Sequence, residues 1–201
     1  MEGTLISQKE TVPAERPWPP PQGQWTYEDW LKLPDDGYRY EVIDGVLYMT
    51  PPPRTRHQRV SARLARRLLN FVEEHALGEV LYAPVGVQLP NRSVPFQPDI
   101  LFIRAERLDI IGEKNVEGAP DLIVEILSPS NWLYDRREKM QVYQEAGVAE
   151  YWIVDPRTRT IEMHVLEQGT YLLVGQYGPG EVIQSQVVPG FEVRVDEVFP
   201  D

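Results

Sequence analysis

The chain has 201 residues, of which 42% are hydrophobic and 25% charged, and its net charge is −11. This length and composition are typical of one soluble globular domain with or without a tail, and the acidic balance argues against a general nucleic-acid coat protein, which is normally basic. The absence of cysteine excludes disulfides and thiolate chemistry, so a metal would need oxygen or imidazole ligands. With no apolar run of roughly 18 residues and no secretory signal pattern, we expect a cytoplasmic protein without a membrane partner.

The N-terminal segment, residues 1–24, is polar and proline-rich, with PWPPPQ at 17–22. This composition is typical of an extended or loosely docked arm, which Trp18 and Trp25 could attach to the domain formed by residues 25–201. The domain begins with TYEDWLKLP, in which Thr26 is the expected N-cap of a short helix with acidic residues in its first turn.

A hairpin and a long helix follow. Two β-rich runs flank Asp44-Gly45, which is the strongest short-range hairpin signal. In RTRHQRVSARLARRLLNFVEEHAL, the apolar residues Val60, Leu64, Leu68 and Phe71 recur at helical spacing, which predicts an amphipathic helix of about 20 residues that ends before Gly78.

The remainder of the chain is rich in strands. VLYAPVGVQLP, FQPDILFIR and DLIVEIL are strand candidates, and residues 105–119 are expected to form a loop or a short helix. A helix capped near Ser130 or Asn131 and closed by Gly147 comes next, and EYWIVDP, TIEMHVLEQ, TYLLVGQY and VPGFEVRVDEVF complete a β-rich end. The order predicts an α/β (α+β) domain in which a central mixed β-sheet is flanked by helices.

Two acidic residues lie at or inside apolar strands: Asp99 in QPDILFI and Glu125 in DLIVEIL. A buried carboxylate costs several kcal/mol unless something compensates its charge. If the two strands pair, both side chains could emerge on one face and hold Mg²⁺ or Mn²⁺. In the structural alternative, Glu125 pairs with an arginine and Asp99 caps a strand end.

Lysine is rare in this chain, with four lysines against sixteen arginines, and Lys139 lies in the helix that follows the Glu125 strand. It shares a helical face with Asp135 and Tyr143, at i−4 and i+4. Lys139 could therefore reach a metal-bound water or a phosphate, or it could form a surface pair with Asp135. Tyr143 is expected to be a core residue.

In this order the motifs resemble the PD-(D/E)XK nuclease superfamily, and within it a branch of restriction endonucleases first catalogued as a bacterial domain of unknown function. The resemblance is carried by six segments that run from about residue 26 to 199: YEVIDGVLYMTPPP, the histidine of RTRHQRV, QPDILFI, APDLIVEILSPS, DRREKMQVYQEAGVAEYWIVDP and VPGFEVRVDEVF.

The resemblance implies a restriction-endonuclease-like core and a Mg²⁺ (or Mn²⁺) site formed by Asp99 and Glu125. It also implies hydrolysis of phosphodiester bonds, by in-line attack of water that leaves a 5′-phosphate and a 3′-hydroxyl. Glu41 matches an acid that such folds supply from an early element. The short motif expects lysine where this chain has Leu127, and Lys139 is the candidate substitute.

Further candidates have structural alternatives. Glu41 could instead face water, and His57, on the apolar stripe of its helix, could be a satisfied core residue; its functional alternative is to support Glu41 or to contact phosphate. The polar face of that helix could bind a DNA backbone or be a solvated surface; its arginines are Arg59, Arg63, Arg66 and Arg67. A homodimer is expected only by analogy, because cutting two strands needs two sites.

The sequence therefore predicts a metal-dependent endonuclease that acts on nucleic acid, with DNA as the expected substrate. One rival is a catalytically inactive module of the same fold that binds nucleic acid or protein, which the absence of lysine at 127 and the acidic net charge favour. The other is a glycoside hydrolase with two carboxylates, whose activity would be independent of metal.

Overall fold

The computed structural model describes residues 17–128 and 135–199. In chain order its elements are α1 (Tyr27–Trp30), β1 (Arg39–Ile43), β2 (Val46–Thr50), α2 (Thr55–Glu74), β3 (Gly78–Tyr82), β4 (Gly86–Gln88), β5 (Ile100–Arg104), a 3-10 helix (Ala105–Ile110), β6 (Asn115–Glu117), β7 (Leu122–Ile126), a π-helical turn (Asp135–Lys139), α3 (Met140–Ala146), β8 (Glu150–Asp155), β9 (Thr160–Glu167), β10 (Thr170–Tyr177), β11 (Val182–Gln184), β12 (Glu192–Arg194) and α4 (Val195–Val198).

The largest element is a six-stranded sheet with the strand order β10, β9, β8, β7, β5, β3. β7 and β8 are parallel, and the other neighbouring pairs are antiparallel. The parallel pair requires a crossover, and this crossover contains α3. The predicted mixed sheet with flanking helices is thereby confirmed.

Side chains of the central strands alternate between two apolar clusters, one on each face of the sheet, as a period of two residues requires. Ile100, Phe102 and Val124 pack with the buried stripe of α2 on one face. Leu101 and Ile123 pack with Val142 and Tyr143 of α3 on the other face. Because both faces are covered, these strands consist almost entirely of apolar residues, as buried strands do.

The long helix follows its prediction closely. α2 has 20 residues, and Val60, Leu64 and Leu68 are among its buried positions. The helix ends at Glu74, before Gly78, and Gly78 begins β3. Its buried stripe anchors it to the sheet, so its first turn, with His57, lies at the end of the sheet where Asp99 precedes β5.

The β1–β2 hairpin is tied to the N-terminal segment. Asp44 and Gly45 both have positive φ (49° and 75°), as a type I′ turn requires. The backbone N–H groups of Gly23 and Trp25 donate to the Gly45 carbonyl at 2.8 and 2.9 Å. A Cβ at residue 45 would lie 2.5 Å from the Gly23 oxygen, so this contact requires glycine. Thr26 and Asp29 form the capping box of α1.

Some predicted elements differ from the structure. The final strand run VPGFEVRVDEVF forms only the short β12 before it turns into α4. Val195 and Val198 of α4 are buried in the α2-side cluster, which explains apolar residues there without a longer strand. Residues 105–119 include β6 in addition to the helix that was expected.

Two predictions lie outside the described residues: the helix cap near Ser130 or Asn131, and the conformation of residues 1–16. Within the described ranges, none of the helices combines the length and the apolar content needed to cross a bilayer.

Candidate active site

Asp99 and Glu125 lie beside each other at one end of the sheet. β5 and β7 pair with Ile100 opposite Val124, so one further step places Asp99 opposite Glu125. Glu125 alternates with Val124 and Ile126, which pack towards α2, and therefore points to the face that α3 covers. The side chain of Asp99 accepts a 2.8 Å hydrogen bond from the Ile126 N–H, so its carboxylate lies against the strand that carries Glu125.

Asp99 is held by three donors and is buried. Its Oδ2 atom lies 3.1 Å from His57 Nε2, and its Oδ1 atom accepts a 3.3 Å bond from the guanidinium of Arg39. Burial alone would raise the pKa of Asp99, but the hydrogen bond and charge of His57, the charge of Arg39 and the Ile126 N–H together lower it to about 2. The Asp99 carboxylate is therefore ionised at neutral pH.

Glu125 is also buried, and its partners come from the helical segment after β7. Lys139 Nζ donates to Oε1 at 2.9 Å, and the Tyr143 hydroxyl donates to the same atom at 2.7 Å. Burial raises the pKa of Glu125, and the negative charges of Asp99 and Glu41 add to this effect, whereas Lys139 opposes it. Burial and the charge of Glu125 also raise the pKa of Tyr143, which keeps its hydroxyl protonated as the donor.

Lys139 joins Glu125 to Glu41. Its side chain is only 1% exposed, and Nζ lies 3.2 Å from Glu41 Oε2, so Lys139 is a buried residue and not a surface one. Glu41 does not face water, because it is 2% exposed. Its Oε1 atom accepts a 3.1 Å bond from the Gln97 N–H, two residues before Asp99.

Arg39 completes the group from the same strand. It lies two residues before Glu41 on β1, and it donates to the Gln97 carbonyl at 2.8 Å as well as to Asp99. Burial opposes the charge of Arg39, but the carboxylates of Asp99, Glu41 and Glu125 outweigh it and raise the arginine pKa. The carboxyl groups of Asp99, Glu41 and Glu125 thus share one buried site with the guanidinium group of Arg39 and the ammonium group of Lys139.

Asp99 and Glu125 are the residues of this site that could hold a Mg²⁺-type ion bound by few protein ligands. Among the described residues, no three acidic or histidine side chains are arranged as a complete metal site. Mg²⁺ commonly keeps several waters and binds one or two carboxylates. Asp99 is ionised, and both hydrogen bonds that Glu125 accepts from described residues end on Oε1, so Oε2 is the atom that fits a metal ligand.

His57 contacts an acid that was not among its expected contacts. The sequence left it as a core residue, a support for Glu41 or a phosphate contact, whereas its Nε2 faces Asp99, because the first turn of α2 lies beside the start of β5. An ionised Asp99 requires the proton on Nε2, and the buried Nδ1 atom has no hydrogen-bond partner in the structure as described. His57 therefore positions Asp99.

The four arginines of α2 that were candidates for contact with DNA fall into two groups. Arg63 donates to the Phe199 carbonyl at 2.9 Å, and Arg67 donates to Glu197 at the same distance, so both bind the C-terminal segment. Arg59 and Arg66 are exposed. Their availability for a phosphate backbone is therefore greater than that of Arg63 and Arg67.

A cavity of about 430 Å³ opens beside Asp99. One wall is the α2 face that includes Ser61, Ala62, Ala65 and Arg66, and the opposite side is formed by the end of β3. Arg39, His57 and Asp99 lie along its edge. The cavity therefore adjoins the candidate site at Asp99.

Arg39 and Tyr143 are site residues that were not predicted from the sequence as such. Alternation along β1 gives Arg39 the same face as Glu41, and helical spacing gives Tyr143 the same face as Lys139. Both patterns are visible in the sequence, but neither shows that this face of β1 and this face of the helix contact each other. The contribution of the Gln97 backbone has no signal in the sequence.

Comparison with solved structures identifies the fold. The crystal structure of a "putative nuclease belonging to DUF820" from Anabaena variabilis ATCC 29413 superposes with a TM-score of 0.71 at 18% identity, covering 87% of this chain and 97% of that one. The type IIG restriction endonuclease BpuSI gives a TM-score of only 0.36 at 16% identity, over 60% of this chain and 12% of its own. At this level of identity the first similarity shows the fold alone, and it agrees with the restriction-endonuclease-like core expected from the sequence.

The fold is that of a restriction-endonuclease-like domain. Residues 27–196 match the family model Uma2, described as "Putative restriction endonuclease". The chain belongs to this family, which confirms the resemblance seen in the sequence. No match was found among curated proteins.

Proposed function

We propose that this protein is a metal-dependent nuclease that hydrolyses phosphodiester bonds in DNA. The observation that carries the proposal is the position of Asp99 and Glu125 beside each other at one end of two paired strands, with the ammonium group of Lys139 2.9 Å from Glu125. Membership of the Uma2 family supports a nucleic-acid substrate.

Asp99 and Glu125 are the residues that would hold Mg²⁺ or Mn²⁺. Such an ion supplies Lewis-acid chemistry, because it neutralises charge on the phosphate and promotes the ionisation of water. His57 and Arg39 keep Asp99 ionised and fix its orientation. The Tyr143 hydroxyl and Lys139 both donate to Oε1 of Glu125. These two bonds fix the side-chain rotamer of Glu125 and thereby also fix the position of Oε2.

Lys139 is the proposed substitute for the lysine that the short motif expects at position 127. Its ammonium group is buried between Glu41 and Glu125, so its charge is fixed in place before substrate binds. A preorganised cation stabilises negative charge that develops in a transition state more effectively than a mobile one. We assign Lys139 this role, and Glu41 the role of holding the ammonium group.

The test is a cleavage assay on plasmid and single-stranded DNA, with Mg²⁺, Mn²⁺ or EDTA. We expect cleavage that requires the metal and falls by at least about 100-fold in Glu125→Gln, which keeps the shape of the side chain but removes its charge. Glu150→Gln is the matched control: Glu150 is a buried acid on β8, opposite Leu122 at the other end of the strand pair, and its loss should leave cleavage unchanged well below the melting temperature.

Cleavage that persists in EDTA, or that survives Glu125→Gln, would refute the proposal. DNA binding without cleavage under every metal condition would favour the inactive binding module instead. Cytoplasmic location and homodimerisation remain predictions; sedimentation equilibrium across a range of protein concentrations tests the dimer.

A further inference from the structure

The cavity beside Asp99 has the size of a small-ligand site. Its volume of about 430 Å³ lies within the roughly 300–1,000 Å³ of pockets that bind small molecules. A double helix cannot enter such a space, but one nucleotide unit can. The size of the cavity therefore matches a single extruded or unpaired nucleotide of a nucleic-acid strand.

The shape of the cavity follows from the sequence of α2. Ser61, Ala62 and Ala65 recur on one helical face and carry small side chains, so the helix leaves room between itself and the end of β3. Leu69 continues that face one turn further and is half-buried. The part of the wall that these four residues form is consequently largely apolar, which suits contact with the face of an aromatic ring.

Tyr82 supplies an aromatic surface on the opposite side. It ends β3, two residues after Val80, which packs towards α2, so Tyr82 points to the same side and lines the cavity. It is 58% exposed, so its ring is accessible to a ligand. An exposed aromatic beside an apolar wall can stack on a nucleobase, and such stacking tolerates any base.

The charges at the two ends of the cavity are arranged for a nucleotide. Arg39, His57 and Asp99 lie at the end that adjoins the carboxylate site, where the scissile phosphate is proposed to bind. Arg66 lines the cavity from an exposed position on α2, where its guanidinium can contact an adjacent phosphate or stack with a base. The small side chains of Ser61, Ala62 and Ala65 lie between His57 and Arg66 on α2.

We propose that this cavity receives one unpaired nucleobase of the substrate strand, stacked on Tyr82, and that the protein therefore prefers single-stranded or locally unpaired DNA. The inference rests on the proposed function for the position of the scissile phosphate. It adds the substrate class, because a base that is paired within a duplex is stacked on both faces and cannot enter the space beside α2.

The test compares two labelled ten-residue DNA strands by fluorescence anisotropy in EDTA, so that no cleavage occurs. One strand carries all its bases, and the other has the same backbone with abasic sites at the central positions. We expect the intact strand to bind at least about fivefold more tightly, the lower limit for one stacked base, and a duplex of the same sequence to bind more weakly than the intact single strand.

Variants locate the preference in the cavity. Tyr82→Ala and the space-filling Ala62→Trp should each abolish the difference between intact and abasic strands, whereas Tyr82→Phe should retain it. Leu173→Ala is the matched control, since Leu173 is an equally exposed apolar residue (57%) on β10, at the opposite edge of the six-stranded sheet. Circular dichroism confirms that each variant is folded.

Equal affinity for intact and abasic strands would overturn the inference, and so would a loss in Tyr82→Ala that is the same for both. The outcome is separable from that of the cleavage assay. Metal-dependent cleavage without any base preference refutes only the nucleobase site, and a Tyr82-dependent preference without cleavage refutes only the hydrolytic function.

Discussion

At the scale of single residues, Lys139 is the least expected feature of the site. A lysine with 1% exposure is tolerated because two carboxylates, Glu41 and Glu125, lie within 3.2 Å of its ammonium group. The ion pair between Lys139 and Glu125 likewise explains why β7 can carry an acid among apolar residues. Each charge is therefore acceptable only in the presence of the others.

Removing the ammonium group of Lys139 should destabilise the fold. We expect Lys139→Met to lower the free energy of unfolding by about 3–5 kcal/mol, because it leaves buried carboxylates without a compensating charge. Urea denaturation measures the loss. The double variant Lys139→Met/Glu125→Gln should recover part of it, since one of the two carboxylates is then neutral; a double variant that is less stable than the single one would contradict this account.

Asp99 should make stability depend on pH in the acid range. Its pKa is about 2 in the folded protein, against an ordinary value of 3.8. Its ionised form therefore stabilises the fold fully above about pH 4, and this contribution is lost as the pH falls towards 2.

Asp99→Asn consequently lowers the free energy of unfolding by about 2 kcal/mol at pH 7, and we expect the gap between this variant and the wild type to shrink as the pH falls from 4 to 3. Urea denaturation at pH 7, 4 and 3 checks this. A gap that stays constant, or that widens, on acidification would show that the carboxylate is not held in its ionised form.

At the scale of elements, the site is assembled by neighbours in the sheet and by one crossover. Asp99 and Glu125 come from antiparallel strands in fixed register. Lys139 and Tyr143 come from the connection between the parallel strands β7 and β8, so they lie on the face that this crossover covers. Glu41 and Arg39 come from the separate β1–β2 hairpin.

Because side chains alternate along β7, Leu127 shares the face of Glu125, and it packs in the cluster that α3 covers. A lysine at 127 would thus approach Glu125 from the strand instead of from the helix. We expect Leu127→Lys to restore stability and metal-dependent cleavage partly when combined with Lys139→Met, measured against Lys139→Met alone. No recovery in either measurement would mean that the ammonium position is accessible only from the helix.

At the scale of the whole molecule, binding of DNA by a protein with a charge of −11 must depend on few local cations. For single strands, the slope of log K against log salt is about −0.7 per neutralised phosphate. We expect Arg59→Gln to reduce the magnitude of this slope by about 0.7, whereas Arg67→Gln, whose guanidinium already binds Glu197, should leave it unchanged. Titrations at several salt concentrations measure both slopes.

Sequence patterns gave the fold accurately where the signal was local. The stripe of α2, the Asp44-Gly45 turn and the Thr26 cap each depend on residues a few positions apart. The final strand was predicted to be too long, because the alternation in VPGFEVRVDEVF continues from β12 directly into α4. A two-residue period and one turn of buried helix cannot be distinguished over so few residues.

The site was predictable only in part, for a related reason. Asp99 and Glu125 were conspicuous because they interrupt apolar strands, and Lys139 because lysine is scarce. Which groups neutralise each acid depends on contacts across 14 to 60 positions of the chain, and no local pattern encodes them. The contact between His57 and Asp99, for example, was not among the alternatives that the sequence offered for His57.

The hydrogen bond from the Ile126 N–H to Asp99 Oδ2 places a spectroscopic reporter in the backbone. An amide that donates to a carboxylate shifts its ¹⁵N and ¹H resonances when that carboxylate changes its charge or gains a ligand. Titration of the isotopically labelled protein with Mg²⁺ would therefore be read at one resonance of β7, in the absence of any nucleic acid. Occupancy of the carboxylate site can in this way be measured independently of whether a bond is ever cut.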